Sequence, residues 1–262
     1  MTITKKQAVT TEPVTEKKQP RAIVFTDWDG TVTLQDSNFF LTDELGMGPE
    51  ARKKLNEELI TETVTFRDGF RKALESIAKN GHSFQYCIEY LLQRIKLDPG
   101  FREFYEYCHE NGIPLYVISS GMTPIIKALL EKLVGVDAMQ NIKVVANDVK
   151  VNGDDWEIVY RDDTPYGHDK NASIRNELKK YGYGAEKEEE EKPVLFYCGD
   201  GVSDISAAGS CDLLFARRGE ELVDICRERN FNFRQFDSFK TILNDVNDVV
   251  SGDVKLEDLF EK

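Results

Sequence analysis

The sequence lacks any apolar run close to the roughly 20 residues that a helix needs to cross a bilayer. Its first twenty residues also lack the apolar stretch of a secretory signal peptide. Basic residues are in the minority, with 34 Lys and Arg against 47 Asp and Glu and a net charge of −13, and they form no basic cluster. Such a chain repels phosphate backbones. These absences predict a cytoplasmic protein, with nuclear presence left open, that has no membrane or nucleic-acid partner.

Cysteine is scarce, and no two cysteines form a CxxC pair or a zinc-ligand spacing with histidine. The odd number and wide spacing predict reduced, buried thiols at Cys87, Cys108, Cys198, Cys211 and Cys226. Apolar residues, at 40%, suffice for a buried core. The length of 262 residues fits one core and an inserted subdomain.

The order of apolar patterns predicts an α/β fold with a doubly wound parallel sheet. Ala22–Thr26 is a short apolar run typical of a buried parallel strand. From Ile113 onward strand and helix patterns alternate, as they do when helices cover both faces of a sheet. The predicted strands are Ile113–Ser119, Val194–Cys198, Leu213–Ala216 and Phe233–Phe236, with a hairpin of Ile142–Val151 and Trp156–Tyr160. The predicted helices are Thr123–Val134, Lys170–Tyr181, Ser203–Ala208, Glu220–Arg229 and Ser238–Val250.

A helical block interrupts this alternation after the first strand. From about Asp36 to Glu110 the apolar residues stand three and four apart, and turn residues divide the block into four or five helices. We therefore predict a helical cap of residues 37–110 inserted into a core of residues 21–36 and 111–262. Residues 1–20 are polar and aperiodic, which predicts a flexible tail. The charged segment Glu186–Lys192 predicts a solvated loop.

Two polar motifs follow the first two core strands. Asp27-Trp28-Asp29-Gly30-Thr31 stands where open α/β sheets bind ligands. Its first acid can attack phosphorus or hold a metal, and its second can transfer a proton. An ordinary turn is the alternative, because Asp and Gly favour turns. Ser119-Ser120-Gly121 offers a hydroxyl and amides that can bind a phosphoryl oxygen, or a simple cap for the next helix.

Two further motifs carry charge. Lys170 opens a predicted helix, where the helix dipole disfavours a cation. A role in neutralising phosphate and carboxylates explains this placement, and a solvent-exposed lysine is the alternative. Asp200 and Asp204, in Gly199-Asp200-Gly201-Val202-Ser203-Asp204, stand four residues apart and can face one Mg²⁺. A turn with helix capping is the alternative here.

The four motifs, in this order, resemble those of the haloacid dehalogenase superfamily over about residues 22–216. With a second acid in its first motif, the sequence resembles the phosphatase branch of this superfamily. With a cap predicted between the first two motifs, it resembles the phosphoserine phosphatase-like subgroup. FTDWDGTVTLQDSN, ISSGM and CGDGVSD look closer still to diketo-methylthiopentyl-phosphate phosphatase relatives. They look most like the fungal members that hydrolyse polyol phosphates.

This resemblance implies a mechanism. Asp27 is expected to be the nucleophile that forms an aspartyl-phosphate, and Asp29 the general acid and then the general base. Ser119 and Lys170 are expected to bind and neutralise the transferring phosphoryl group, where the electrostatic contribution is largest.

The resemblance also implies a Mg²⁺ site. The ligands expected to hold the ion are Asp27, the backbone carbonyl of Asp29, and Asp200. Asp204 is expected to support these ligands without contacting the ion directly. The ion and the lysine together offset the negative charge of the carboxylates and of the substrate.

The cap is expected to select the substrate. Phe66–Arg71 resembles a phosphoserine phosphatase segment whose arginine meets the substrate carboxylate, and Arg71 falls at that position. Asp36 aligns with the acid that meets the amino group, although that family has the longer Glu. Ser120 and Gly121 are the remaining expected substrate contacts.

We expect a Mg²⁺-dependent phosphomonoesterase whose partner is a small phosphate ester, with a polyol phosphate as the preferred substrate. Diketo-methylthiopentyl phosphate and phosphoserine are alternatives within the same chemistry. A catalytically silent binder of a phospho-ligand or of a protein is an alternative from another class. A phosphotransferase that uses an acceptor other than water is a third.

Overall fold

The computed structural model describes residues 19–183 and 192–261. The predicted tail, apart from its last two residues, and the predicted charged loop, apart from Lys192, lie outside these described residues. No helix of the described chain is long and apolar enough to cross a membrane. All five cysteines are free; four are buried as predicted, and Cys211 is half-buried.

Seven strands form one sheet. They are β1 (Ala22–Thr26), β2 (Leu115–Met122), β3 (Lys143–Asn152), β4 (Asp155–Val159), β5 (Val194–Gly199), β6 (Leu213–Arg217) and β7 (Phe233–Phe236). Their order is β4-β3-β2-β1-β5-β6-β7, and every pairing is parallel except the β3–β4 hairpin. The chain builds outward from β1 on one side and then returns to its other side at β5. Ligands bind at such a switch point, beyond the carboxyl ends of the strands.

Eleven α-helices accompany the sheet in the described chain. They are α1 (Ser37–Glu44), α2 (Pro49–Ile60), α3 (Phe66–Lys79), α4 (Phe84–Leu92), α5 (Phe101–Glu110), α6 (Thr123–Leu133), α7 (Val136–Asn141), α8 (Lys170–Leu178), α9 (Ile205–Ala208), α10 (Glu221–Arg229) and α11 (Phe239–Ser251). Short 3-10 helices cover Lys179–Tyr181, Val202–Asp204 and Leu256–Leu259. The six-residue α7 was not predicted, and the predicted helix Ser203–Ala208 is a 3-10 turn followed by α9.

Both faces of the sheet are covered, which confirms the predicted doubly wound architecture. Ala22 and Val24 of β1 belong to one apolar cluster, and Ile23 and Phe25 to another, because successive strand residues point to opposite faces. All four are fully buried. Helices α5, α6 and α11 contribute to the first cluster, whereas α8 and α10 contribute to the second.

Five helices lie between β1 and β2, within the four or five that the periodicity predicted. The segments that enter and leave this insertion run side by side, since Thr33 pairs with Leu97 in an isolated bridge. The last helix of the block, α5, packs on α11, with the Phe101 and Phe239 ring centroids 4.9 Å apart. The extent of the cap as a separate subdomain stays a prediction.

Candidate active site

Asp27 and Asp200 follow two neighbouring strands at the switch point. Thr26, the last residue of β1, is in register with Cys198 of β5, and the Asp27 N–H donates to the Cys198 carbonyl at 2.8 Å. The two acids therefore leave the sheet side by side. With Asp204 they form a group in which one carboxylate oxygen of each residue lies within 4.8 Å of the others. Three of the predicted metal-site residues are thus together.

Lys170 lies between two of these carboxylates. Its Nζ is 3.0 Å from Asp27 Oδ1 and 2.7 Å from Asp204 Oδ1, and the side chain is 1% exposed. Asp169 caps α8, so Lys170 is the first residue of the helix, as predicted. Burial disfavours the charged amine, but Asp204 and Asp27 outweigh it and raise the pKa of Lys170. The solvent-exposed alternative is wrong for this lysine.

Asp204 is fully buried and surrounded by donors. Its Oδ1 accepts from Lys170 and from the Tyr197 hydroxyl, at 2.7 and 2.6 Å. Its Oδ2 accepts from the backbone N–H groups of Asp200 and Gly201, at 3.0 and 3.1 Å. These bonds fix the loop that presents Asp200, which suits the supporting position expected for Asp204.

Asp200 is oriented by the loop after β1. The Thr31 hydroxyl donates to Asp200 Oδ1 at 2.7 Å. Gly30 has a φ of +74°, and a Cβ there would collide with the Asp200 carboxylate. Glycine at position 30 therefore serves both the backbone conformation and the close approach of the acid.

The charges of this cluster suit a hard divalent cation. Burial raises the pKa of Asp27 to about 7, although Lys170 opposes the effect. Burial and then the charges of Asp204 and Asp27 raise the pKa of Asp200 to about 9. One lysine does not compensate three clustered carboxylates, and carboxylate oxygens are the ligands that Mg²⁺ takes. The residues present thus fit the predicted ion.

Asp29 is buried beside this cluster and is held by residues that the sequence analysis missed. Its Oδ1 accepts from the Ser37 N–H and hydroxyl at 2.7 and 2.5 Å, and its Oδ2 accepts from Asn38 Nδ2 at 2.8 Å. Burial and then the charge of Asp36 raise its pKa well above the usual value, although Ser37 opposes this. The available signal was Asp36-Ser37-Asn38 at the start of α1, where unpaired N–H groups need acceptors.

Ser119, Ser120 and Gly121 lie inside β2, which continues to Met122 and does not end at Ser119 as predicted. The register with β3 shifts between Ile118 and Met122, and pairing resumes there. Because Met122 is the residue before α6, the helix-cap alternative for Ser119 is wrong. Ser119 is 1% exposed, and its Oγ accepts from the Gly121 N–H at 3.0 Å.

Comparison with known proteins identifies the family. The model of the haloacid dehalogenase-like hydrolases matches residues 24–209. The chain is 49% identical over 243 residues to polyol phosphate phosphatase PYP1 of Saccharomyces cerevisiae, covering 92% of this chain and 99% of that protein. The chain belongs to the haloacid dehalogenase-like hydrolases. The family and the enzyme class, a phosphatase, were predicted correctly.

This hydrolase is also similar to a second fungal protein and to a solved phosphatase structure. It is 41% identical over 232 residues to Pdp3-interacting factor 1 of Schizosaccharomyces pombe, covering 88% of this chain and 96% of that protein. A solved structure described as a phospho-aspartyl intermediate analogue of phosphoserine phosphatase matches with a TM-score of 0.60 and 18% identity. That match covers 86% of this chain and 99% of the other. The structural likeness confirms the predicted fold.

His168 of this hydrolase was not among the predicted site residues. It is 2% exposed, its Nδ1 is 2.7 Å from the Ser119 carbonyl oxygen, and its Nε2 is 2.8 Å from Ser173 Oγ. Burial lowers the pKa of His168 to about 4, so the ring is neutral. From the loop that precedes α8, the histidine fixes the backbone of Ser119.

The structure places the predicted substrate residues Arg71 and Asp36 on different helices, Arg71 within α3 and Asp36 at the cap of α1. The Arg71 guanidinium carbon is 5.3 Å from the centroid of the Tyr160 ring. Asp36 caps α1 and also lines a cavity of about 220 Å³ that reaches Asp200. A larger groove of about 540 Å³ beside α5 and α7 contains none of the predicted site residues.

Proposed function

We propose that this hydrolase is a Mg²⁺-dependent phosphatase of small phosphate esters, and that linear polyol phosphates are its substrates. The observation that carries the proposal is the cluster of buried Asp27 and Asp204 with half-buried Asp200, in which Lys170 bonds to Asp27 and Asp204. The 49% identity to a protein named polyol phosphate phosphatase supports the substrate class. A cytoplasmic location and the absence of a nucleic-acid partner stay predictions from composition.

Asp27 is the proposed nucleophile. Its carboxylate oxygen forms a bond to phosphorus while the bond from phosphorus to the ester oxygen breaks, and Asp29 gives its proton to the leaving alkoxide. Asp29 then takes a proton from water, whose oxygen attacks phosphorus. The bond to the Asp27 oxygen breaks, and inorganic phosphate leaves. The raised pKa of Asp29 supports this role, because a general acid must be protonated near neutral pH.

Lys170 and Ser119 are the proposed phosphoryl ligands. Lys170 carries its charge beside the Asp27 carboxylate, where negative charge develops on the phosphoryl group. Ser119 accepts from the Gly121 N–H, which leaves its own hydroxyl hydrogen for a phosphoryl oxygen. Ser120 and Gly121 complete the proposed phosphoryl contacts.

Asp27, the Asp29 carbonyl and Asp200 would hold Mg²⁺, and Asp204 fixes the loop of Asp200. When bound, the ion supplies positive charge that stabilises the phosphoryl oxygens. Asp36 is a proposed substrate contact because it lines the cavity next to Asp200. Arg71 is proposed from the resemblance alone.

A protein-binding role is the second candidate, since the Schizosaccharomyces pombe relative is named an interacting factor. The acid beside the nucleophile favours the hydrolase, because a binding protein has no need for Asp29.

The proposal is tested by phosphate release from a panel of polyol, sugar and nucleotide monophosphates and phosphoserine. The assay is run with Mg²⁺, with EDTA, and with Asp27→Asn protein as the blank. We expect Mg²⁺-dependent release that is strongest on linear polyol phosphates. A preference for another ester would change the proposed substrate and leave the enzyme class unchanged. No release from any ester by folded protein would contradict the proposed function.

A further inference from the structure

Asn38 has an unpaired buried oxygen beside Asp29. The residue is 6% exposed, and its Nδ2 donates to Asp29 Oδ2 at 2.8 Å. Its Oδ1 is buried and has no hydrogen-bond partner among the described residues. A buried acceptor without a partner is rare in native proteins, because desolvation is not repaid. The Nδ2 bond fixes the amide, so the unpaired oxygen stays next to the proposed proton donor.

Gly121 allows a close approach of polar groups at the same place. A Cβ on Gly121 would lie 3.3 Å from Asn38 Nδ2, 3.0 Å from Asp29 Oδ2 and 3.2 Å from Ser119 Oγ. Gly121 lies in β2 without a positive φ, so its backbone does not require glycine. A glycine inside a strand often marks a close approach of a ligand. The absence of a side chain at position 121 thus lets the proton donor, the phosphoryl-binding hydroxyl and the Asn38 amide lie close together, where the ester must bind for Asp29 to reach its oxygen.

The chemistry of a polyol phosphate matches this arrangement. Asp29 meets the ester oxygen in the proposed reaction, so Asn38 lies near the substrate carbons that adjoin that oxygen. In a linear polyol phosphate the carbon next to the phosphoester carbon carries a hydroxyl, which is a donor. The neutral amide of Asn38 suits a hydroxyl, whereas an ammonium at this position would favour a carboxylate.

We propose that Asn38 Oδ1 accepts a hydrogen bond from the hydroxyl on the carbon adjacent to the phosphoester carbon, and so determines specificity for vicinal hydroxy phosphates. This inference rests on the proposed function. An ester without that hydroxyl leaves the buried Oδ1 unpaired, and a site built around a polar partner rejects an analogue that lacks it.

The test compares glycerol 1-phosphate with 1,3-propanediol phosphate, which differ by that one hydroxyl. We expect kcat/KM of the unaltered chain to favour glycerol 1-phosphate by about tenfold or more. Asn38→Leu brings the ratio close to one, and Asn38→Asp, which keeps an acceptor, retains a preference. Circular dichroism checks that each variant is folded.

Asn147→Leu is the matched control. Asn147 is also buried, but it donates to the Ser120 carbonyl and accepts from the Arg161 N–H, so both ends of its amide are paired. This variant lowers both rates and leaves the ratio unchanged.

A ratio near one for the unaltered chain, with release from both esters, overturns the role of Asn38 and leaves the proposed function standing. A larger effect of Asn38→Leu on phosphoserine than on glycerol 1-phosphate overturns the hydroxyl assignment in favour of an ammonium. No release from either ester overturns the proposed function and this inference together.

Discussion

At the scale of residues, Asp27 and Asp29 stand two positions apart and meet different neighbours. Asp27 faces Lys170, which opposes the effect of burial, and its pKa rises to about 7. Asp29 is buried near the negative charge of Asp36, and its pKa rises well above the usual range. Different environments thus shift the pKa values of two chemically identical carboxyl groups differently, as the proposed roles of nucleophile and general acid require.

Gly30→Ala adds one carbon atom next to Asp200 and so tests whether Asp200 belongs to the metal site. The added Cβ collides with the Asp200 carboxylate, so we expect Mg²⁺ affinity, measured by titration calorimetry, to fall at least tenfold. The left-handed backbone also costs about 1 kcal/mol of unfolding free energy.

Gly48→Ala is the control for the backbone cost. Gly48 has a φ of +84° and nothing within 4 Å of its added Cβ. It should lose comparable stability and keep its Mg²⁺ affinity. Equal Mg²⁺ affinity in both variants would contradict the placement of Asp200 in the metal site.

At the scale of elements, Arg217 at the end of β6 joins several segments. Its Nη2 donates to the Thr31 carbonyl at 2.6 Å and to Asp98 Oδ2 at 2.9 Å. Asp98 Oδ1 accepts from the N–H groups of Gly100 and Phe239, both at 2.9 Å. The loop after β1, the return from the helical insertion and the start of α11 are therefore held at one buried ion pair.

We expect Arg217→Met to destabilise the protein by about 3–5 kcal/mol, because it leaves the buried Asp98 without its cation. The neighbouring Arg218 is 55% exposed and pairs with Asp237 at the surface, so Arg218→Met should cost about 1 kcal/mol or less. Denaturant unfolding measures both values. Similar losses in the two variants would show that the buried pair does not hold these segments together.

Elements with strong local signals were predictable from the sequence. The apolar run of β1 and the Asn152-Gly153 turn of the hairpin placed those strands, and the first and last of the four motifs contain the three acids that the structure brings together. The extension of β2 to Met122 depends on pairing with Asn147 of β3, which no local pattern reveals. The bond from His168 to Ser119 likewise joins residues 49 positions apart. Contacts between residues distant in sequence were therefore missed, whereas the acids that directly follow β1 and β5 were recognisable from local sequence; their catalytic roles stay predictions.

At the scale of the whole molecule, stability should couple to pH and Mg²⁺. In the folded protein without metal, burial raises the pKa of Asp27 from 3.8 to about 7 and that of Asp200 to about 9. The folded state then holds more protons than the unfolded chain between about pH 4 and 9. The contribution of these two groups to the free energy of unfolding therefore falls as pH rises through this range. Mg²⁺ binds the ionised form, and its stabilisation should grow over the same range.

The measurement is the shift in Tm that Mg²⁺ causes relative to EDTA, at about pH 5 and about pH 8. We expect a larger shift at the higher pH and little shift at either pH for Asp200→Asn. Comparing the two conditions at each pH removes the contribution of other groups. This includes His168, whose lowered pKa costs stability as pH falls below about 6.5. Equal shifts at both pH values would contradict the coupling.

The most direct test of the whole mechanism is to trap the phosphoryl group on the protein. Asp29→Asn protein is mixed with Mg²⁺ and a radiolabelled polyol phosphate, quenched in acid and digested for peptide mapping. We expect label on the peptide that contains Asp27, since the variant forms the phosphoenzyme but hydrolyses it slowly, and no label in Asp27→Asn protein. Label on another peptide, or phosphate release by Asp27→Asn at the rate of the unaltered chain, would contradict Asp27 as the nucleophile.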